Sequence, residues 1–186
     1  MNKINWNFIA AREGFKLNGY VPDPQHSHSG VTIATDFDID NTTDEMMAGL
    51  PLGIQKRFAA YRHLTGIPAL HMLQTNPLSI TSEQAVAIDA VIKKKLTDEL
   101  EAKYNHDAEM DFDDLPPEAQ TVIASVGFQY GDPWKDTPRF WSQAVKRDWE
   151  AMRRNLLNFG DKYSARRKVE AAYLTSLFQT KGALIA

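Results

Sequence analysis

The chain has 186 residues, a hydrophobic fraction of 43% and a net charge of −3, which together predict one soluble, well-packed protein and exclude a disordered chain. It has no cysteine, so a disulfide framework and thiol chemistry are excluded. The start lacks the apolar core of a signal peptide, and no window approaches the ~18 apolar residues of a membrane span, so we expect no stable membrane insertion.

The first predicted element is a short amphipathic helix. Its apolar spacing follows the helical repeat through Ile4, Phe8, Ile9 and Phe15. Gly14 is the stop signal, so Glu13 is predicted at the helix C-terminus. The helix dipole disfavours negative charge there and would raise the pKa of the carboxyl group. A carboxyl group that keeps its proton near neutral pH is what a general acid requires.

After Gly14 the apolar pattern changes to alternation, which is typical of β-strands. Two short strands joined by a turn-rich segment, residues 21–30, predict a small β-hairpin that brings Thr32 and Asp38 toward Glu13. Two carboxyl groups and a hydroxyl around a cleft can cleave a glycosidic bond. Asp23, in the hairpin turn, is a further candidate for the same cleft.

Two patterns near the hairpin invite comparison with metal sites. An acidic run has the spacing of the first three EF-hand ligands, Asp36, Asp38 and Asp40. However, Asn41 occupies the position that needs glycine, and Met47 the position that needs a bidentate glutamate. His26 and His28 could bind zinc, but no further ligands are placed beside them. We therefore predict neither a metal nor a cofactor.

The residues of the hairpin also carry a family resemblance. The pattern E-G-x-x-L-x-x-Y begins at Glu13, and S-G-V-T-I-x-T-x-F-D ends at Asp38. Together they resemble the T4-type phage lysozymes and, most closely, the pesticin-like muramidases. The resemblance implies a peptidoglycan hydrolase with Glu13 as the catalytic acid and Thr32 and Asp38 as its partners. Where that branch usually has glycine, this chain has Asp36, in a turn expected to favour a residue without a side chain.

The chain after residue 40 is predicted to be helical. Short helices are expected near residues 44–48, 52–63 and 69–74. A capping box at residues 81–84 begins the clearest helix, to about residue 104, with apolar positions at Ile88, Ile92, Leu96 and Leu100. At ~1.5 Å per residue this helix exceeds ~30 Å, long enough to join two lobes. Further helices are expected near residues 115–128, 140–145 and 149–157, and from residue 164 onward.

Two later motifs extend the resemblance toward the C-terminus. F-Q-x-G at residues 128–131 is similar to the phage lysozymes and implies that Gln129 lies near the cleft as a substrate-binding residue. F-G-D-x-Y-x-x-R-R-K-x-E-A begins at Phe159. Within it, Arg166 or Arg167 is predicted to pair with Glu13, and Arg166 is the substrate-binding candidate. The last helix is predicted to bury Val169, Ala172, Tyr173, Leu177 and Phe178.

The predicted fold is α+β and lysozyme-like, in one catalytic domain. A small β-hairpin lobe, about residues 14–80, is joined by the long helix, about 82–104, to a mainly helical lobe, about 105–186 with the N-terminal helix. The predicted reaction is cleavage of the β-1,4 bond between N-acetylmuramic acid and N-acetylglucosamine by acid-assisted attack of water. Direct attack requires carboxyl groups ~6.5–9.5 Å apart and inverts the product, whereas ~5 Å gives retention. We favour inversion.

The expected partner is a peptidoglycan glycan strand, bound by a monomer that has no nucleic-acid partner. The chain is basic from Asp132 onward and acidic before it, which fits a solvated helix surface or contact with a polyanion. The lytic motif begins so early that a phage endolysin is expected, made in the host cytoplasm and acting on periplasmic peptidoglycan after release. The alternatives are a non-catalytic wall-binding or interaction protein on the same fold, and the excised lytic domain of a bacteriocin.

Overall fold

The computed structural model describes residues 2–182, which form two compact units. Residues 13–95 form one, here called the sheet unit, and residues 2–12 with 96–182 form the other, the helical unit. Ten α-helices, two short 3₁₀ helices and one small antiparallel sheet make up the regular structure of these residues, which confirms the α+β class. Within residues 2–182, no helix combines the length and the apolar character that crossing a membrane requires.

The sheet has three strands, in the order β1-β2-β3: Lys16–Tyr20, Thr32–Ala34 and Phe37–Asp38. The sequence predicted the hairpin of β1 and β2 but not β3. A strand of two residues is too short to show alternation, so its absence from the prediction has a simple cause. β3 pairs with β2 in a register that places Asp38 opposite Thr32 and Phe37 opposite Ile33.

Short helices pack around this sheet: α2 (Asp44–Ala48), α3 (Leu52–Phe58) and α4 (Gly66–Thr75). α3 continues as a 3₁₀ turn over Ala59–Tyr61, which accounts for the longer predicted helix. α4 begins at Gly66, three residues before the predicted start. Their buried side chains share one core with the sheet, including Ile33, Phe37, Ile39, Ile54, Phe58, Tyr61 and Ala69.

The long helix α5, Ser82–Asp107, begins with the predicted capping box. The Thr81 N–H donates to Gln84 Oε1 (3.0 Å), and the Gln84 N–H donates to Thr81 Oγ1 (3.2 Å). Both bonds satisfy N–H groups that a helix start leaves without partners. The apolar stripe is confirmed at Ile88, Leu96 and Leu100, which are buried, and the boundary between the two units falls within this helix.

The helical unit contains the N-terminal helix α1 (Trp6–Ala10) and five helices after α5. α6 (Pro117–Tyr130) is its centre, because every residue from Ala119 to Gly127 is buried. The others are α7 (Pro133–Asp136), α8 (Pro138–Val145), α9 (Trp149–Leu157) and α10 (Ser164–Gly182). The four-residue helix α7 was not predicted.

The predicted end of α1 was wrong. The helix stops at Ala10, and Glu13 lies in a bend three residues later, within the sheet unit. Phe15 is 55% exposed and takes no part in the apolar face of the helix. Pairing of β1 with β2 begins at Lys16, so the chain leaves the helical conformation before it reaches Glu13.

The predicted buried face of α10 was also wrong. Val169 is 43% exposed and Phe178 is 37% exposed, whereas the buried positions are Arg167, Glu170, Ala171 and Leu174. The two charged side chains bond each other through Arg167 Nη1 and Glu170 Oε2. Glu170 Oε1 also accepts from Ser125 Oγ (2.6 Å) and from Arg166 Nε (3.1 Å). A hydrophobic pattern does not reveal this face, because charged residues are buried only when they are paired.

Removal of the Glu170 carboxylate should therefore destabilise the helical unit strongly. Glu170→Ala leaves the buried Arg167 guanidinium without one of its carboxylate partners, and such a loss costs about 3–5 kcal/mol of unfolding free energy. The matched control is Glu150→Ala, since Glu150 pairs with Arg153 and Arg154 at an exposed surface. Urea unfolding should show a much lower midpoint for Glu170→Ala, and equal midpoints for the two variants would contradict the buried network.

Candidate active site

Asp38 and Thr32 are brought together by the β2–β3 ladder, in which they are direct partners. Directly opposed residues of an antiparallel pair point to the same face, with Cβ atoms about 4.5–5.5 Å apart. Thr32 is 2% exposed and its hydroxyl donates to the Gly30 carbonyl (3.4 Å), whereas Asp38 is only partly buried. A hydroxyl and a carboxylate therefore share one side of the sheet.

Backbone amides hold the carboxylate of Asp38 in place. The Gly30 N–H contacts both of its oxygens, at 3.2 and 3.1 Å, and the Asp40 N–H donates to Oδ1 at 3.0 Å. Asn41 Nδ2 lies 3.4 Å from Oδ2. Burial raises the pKa of the Asp38 carboxyl, and the N–H groups of Gly30 and Asp40 oppose that shift without cancelling it. A base of raised pKa, fixed in orientation, is well suited to accept a proton from water.

Gly30 is required for this arrangement by the space around it. A Cβ atom at position 30 would lie 2.6 Å from Asp40 Cβ and 2.7 Å from Asp38 Oδ1. The carbonyl oxygen of Leu64 would be 3.0 Å away. The carboxylate can approach the backbone this closely only because the residue has no side chain.

The turn between β2 and β3 has an unusual backbone. Ala34 and Asp36 both have positive φ, 55° and 58°, in the left-handed region that favours glycine. The expectation that position 36 favours a residue without a side chain is thus supported by its conformation. Asp36 accepts a hydrogen bond from the Tyr20 hydroxyl (3.0 Å), and Thr35 donates to Asp89 of α5. Burial first, and then the Asp36 carboxylate, raises the pKa of Tyr20 to about 12.

Glu13 and Asp23 belong to the same unit as Thr32 and Asp38. Glu13 is partly buried and lies three residues before Lys16, the residue at which β1 begins to pair with β2. Asp23 is exposed, has a φ of 37° and contacts His26 Nδ1 (2.9 Å) in the loop between β1 and β2. The catalytic role of Glu13 and the substrate role of Asp23 stay predictions.

Gln129 and Arg166 lie in the polar network of the helical unit. Gln129 Oε1 accepts from Arg167 Nη2, and Arg166 Nη2 donates to the Ser125 carbonyl (2.9 Å). Asp161 binds Arg167 Nε at 2.9 Å. Burial raises the pKa of the Asp161 carboxyl, but the hydrogen bonds from Arg167 and then Tyr130 outweigh it and hold that pKa below its ordinary value. Substrate contact by Gln129 or Arg166, and the pairing of Glu13 with an arginine, stay predictions.

Within residues 2–182, no group of three or more histidine, aspartate or glutamate side chains is arranged to hold a metal ion. In the acidic run, the Asp38 carboxylate is occupied by backbone N–H donors, and Asp36 is bonded to Tyr20. The run therefore serves the turn and the β2–β3 ladder.

Comparison of the sequence with known protein families identifies the family of this chain. Residues 3–150 match the sequence profile of the family described as "Pesticin: Bacterial toxin homologue of phage lysozyme, C-term". The chain belongs to the pesticin family. The matched range covers well over half of the chain and carries Glu13, Thr32, Asp38 and Gln129, so the lysozyme-like fold is confirmed. Arg166 lies beyond it. A search of curated proteins finds no match.

Sequence reasoning missed three residues that shape this pesticin-family site. Gly30 was visible only as a letter of the motif, and Tyr20 likewise, with no indication that either touches an aspartate. Asp89 gave no signal, because its contact with Thr35 joins residues 54 positions apart in the chain. A pairing at that separation depends on how α5 packs on the sheet, which no local pattern contains.

Gly30→Ala should damage both folding and the orientation of Asp38. The new methyl group overlaps the carboxylate, so we expect a loss of about 1–3 kcal/mol in unfolding free energy. Gly53→Ala is the control, since nothing lies within 4 Å of a Cβ there and alanine favours the α3 helix by roughly 0.5–1 kcal/mol. Thermal unfolding should separate the two variants in opposite directions, and a neutral Gly30→Ala would contradict the close approach.

Asp36→Gly should change the titration of Tyr20 more than it changes stability. Glycine relieves the left-handed conformation, worth about 1 kcal/mol, but removes the Tyr20 bond, worth a similar amount. The pKa of Tyr20 should fall from about 12 and stay above its ordinary value of 10.0, because burial is the larger cause. Spectrophotometric titration measures this, with Tyr20→Phe identifying the signal; an unchanged titration would contradict the contact.

Proposed function

We propose that this protein is a peptidoglycan hydrolase of the muramidase type, which cleaves the β-1,4 bond between N-acetylmuramic acid and N-acetylglucosamine. The observation that carries the proposal is the carboxylate of Asp38, partly buried and fixed by two backbone N–H groups directly across the ladder from Thr32. In a chain of the pesticin family, such a carboxylate is suited to act on a water molecule.

In the proposed reaction, Glu13 acts as the general acid and Asp38 as the general base. Glu13 gives its proton to the glycosidic oxygen as the bond from the muramic acid C1 breaks, so the glucosamine leaves as a neutral alcohol. Asp38 removes a proton from the water that attacks C1 from the opposite face, and the Thr32 hydroxyl orients that water. The cycle closes when Glu13 regains a proton from solvent and Asp38 loses one.

The attack of water in a single displacement would invert the configuration at C1. Every step is a proton transfer or a displacement at carbon, so the proposed chemistry requires no cofactor. Inversion distinguishes this mechanism from a covalent glycosyl-enzyme, because the latter returns the original configuration.

Two biological settings fit the proposed activity, a phage endolysin and the lytic domain of a bacteriocin. A phage endolysin would be made in the host cytoplasm and would reach periplasmic peptidoglycan after the membrane is breached, acting as a monomer on the glycan strand. The lytic domain of a bacteriocin would cleave the same bond but would depend on other parts for entry. Lysis of intact cells from outside, only when the chain is fused to an import module, favours the toxin setting; lysis from inside after membrane permeabilisation favours the endolysin.

The direct test uses permeabilised Gram-negative cells, whose turbidity falls as their walls are cut. Glu13→Gln and Asp38→Asn should each slow clearing by roughly 10²–10⁴-fold, the contribution of acid and base catalysis. The matched control Glu45→Gln alters an exposed glutamate of the same unit and should clear cells at the wild-type rate.

The rival proposal is a non-catalytic wall-binding protein on the same fold. Its support is the left-handed backbone at Asp36, where the family usually has glycine. If wild-type protein binds purified cell walls but never clears cells, the rival replaces the hydrolase, and clearing by Asp36→Gly would then show that Asp36 is what impairs the turn. Equal clearing by wild type and Glu13→Gln would remove Glu13 from its role.

The pH dependence follows from the environment of Asp38. A general base must be ionised, and the pKa of the Asp38 carboxyl is raised above its ordinary value of 3.8. The rate should therefore fall as the pH is lowered through a midpoint above 3.8, because protonated Asp38 cannot accept a proton from water. Initial rates of wall hydrolysis against pH measure this midpoint, and a midpoint below 3.8 would contradict the assignment.

A further inference from the structure

We infer that Asp89 of α5 is a positioning residue for Asp38, acting through the turn that joins β2 and β3. The inference rests on the proposed hydrolase function, because it assigns Asp89 a part in presenting the general base. In this proposal Asp89 acts only through Thr35 and does not exchange protons with the substrate.

Asp89 binds the tip of the turn between β2 and β3 through Thr35. The Thr35 hydroxyl donates to Asp89 Oδ2 at 2.7 Å, and the Thr35 N–H donates to Oδ1 at 3.3 Å. Both carboxylate oxygens are thus used on one residue, and they hold its backbone as well as its side chain. Two bonds to a single residue fix its orientation more closely than one bond does.

The β2–β3 ladder is too short to fix its own register. β3 has only two residues, and its pairing with β2 consists of Thr32 with Asp38 and Ile33 with Phe37. A slip of one residue would turn Asp38 to the opposite face of the sheet. Register in such a short pair depends on the turn, since the strands offer few bonds of their own.

The turn between β2 and β3 has an unfavourable backbone conformation. Thr35 is flanked by Ala34 and Asp36, which both have the left-handed backbone conformation that residues other than glycine avoid. Asp89 holds the middle residue, and Tyr20 holds Asp36 from β1. These two contacts compensate for the unfavourable backbone and select one geometry for the residues that follow.

The helix that carries Asp89, α5, is firmly anchored. Its neighbour Ile88 is fully buried in the core of the sheet unit, as is Ala85 one turn earlier. The helix is capped by the reciprocal bonds of Thr81 and Gln84, which lie eight and five residues before Asp89. Asp89 is therefore held in a fixed position, and the short β2–β3 ladder takes its register from it.

The test compares Asp89→Ala with Asp89→Asn in the full-length protein. Alanine removes both contacts, so kcat on soluble peptidoglycan fragments should fall by roughly 10- to 100-fold while KM changes by less than about threefold. Asparagine can accept from the Thr35 N–H and donate to the Thr35 hydroxyl, so it should restore kcat to within about threefold of wild type. Asp98→Asn, an exposed aspartate of the same helix, is the control.

A second readout does not depend on activity. In ¹⁵N-labelled wild type, the amide signals of Gly30 and Asp40 should shift as Asp38 titrates, because both N–H groups donate to its carboxylate. Asp89→Ala should abolish these shifts and Asp89→Asn should keep them. If wild type proves inactive on peptidoglycan, the proposed function fails, and these amide titrations still decide the role of Asp89.

Two results would overturn the inference. One is a wild-type kcat in Asp89→Ala, measured well below its unfolding temperature; the other is unchanged titration of the Gly30 and Asp40 amides. Should Asp89→Ala fail to fold, Thr35→Val removes only the hydroxyl contact and keeps a similar shape. It should reduce kcat about 2- to 10-fold and weaken the amide shifts, and a Thr35→Val protein identical to wild type in both would equally reject the role.

Discussion

The structure of the sheet unit depends on one interaction, the binding of the Asp38 carboxylate by the backbone N–H groups of Gly30 and Asp40. Several constraints follow from it. Position 30 must be glycine, because any Cβ would overlap the carboxylate. β3 must keep its register with β2, because a slip would withdraw Asp38 from those donors. The carboxylate remains partly buried, so its pKa is raised while its orientation is fixed.

This arrangement concentrates unfavourable features in a few residues. The turn contains two left-handed residues that are not glycine, and the ladder behind it is only two residues long. The surrounding unit offsets that cost with a buried core and with tethers from Tyr20 and Asp89. The helical unit also combines an unfavourable feature with compensating contacts, because it buries the charged side chains of Arg167 and Glu170. These two side chains form hydrogen bonds with each other and with Ser125, Gln129 and Asp161. The buried ion pair of the helical unit is thus accompanied by hydrogen bonds, as its desolvation requires.

The sequence predicted those parts that a local pattern encodes. The capping box, the apolar stripe of α5 and the hairpin follow from spacing alone, and the motif around Thr32 and Asp38 identified the pair that the ladder joins. β3 is too short to show periodicity, which explains why it was missed. α1 ends at Ala10, four residues before Gly14, so Gly14 is not its stop signal. The inward face of α10 is charged, so hydrophobicity selected the wrong side, and the Asp89 contact depends on tertiary packing.

We propose that Glu13 and Asp38 act together to add water across the muramic acid linkage. The most direct measurement is the mass and reducing-end identity of fragments released from purified sacculi. The account predicts disaccharide-peptides that have gained one water and end in reducing N-acetylmuramic acid, absent from digests with Asp38→Asn. Fragments that end in reducing N-acetylglucosamine, or anhydro-muramic products formed without water, would contradict it.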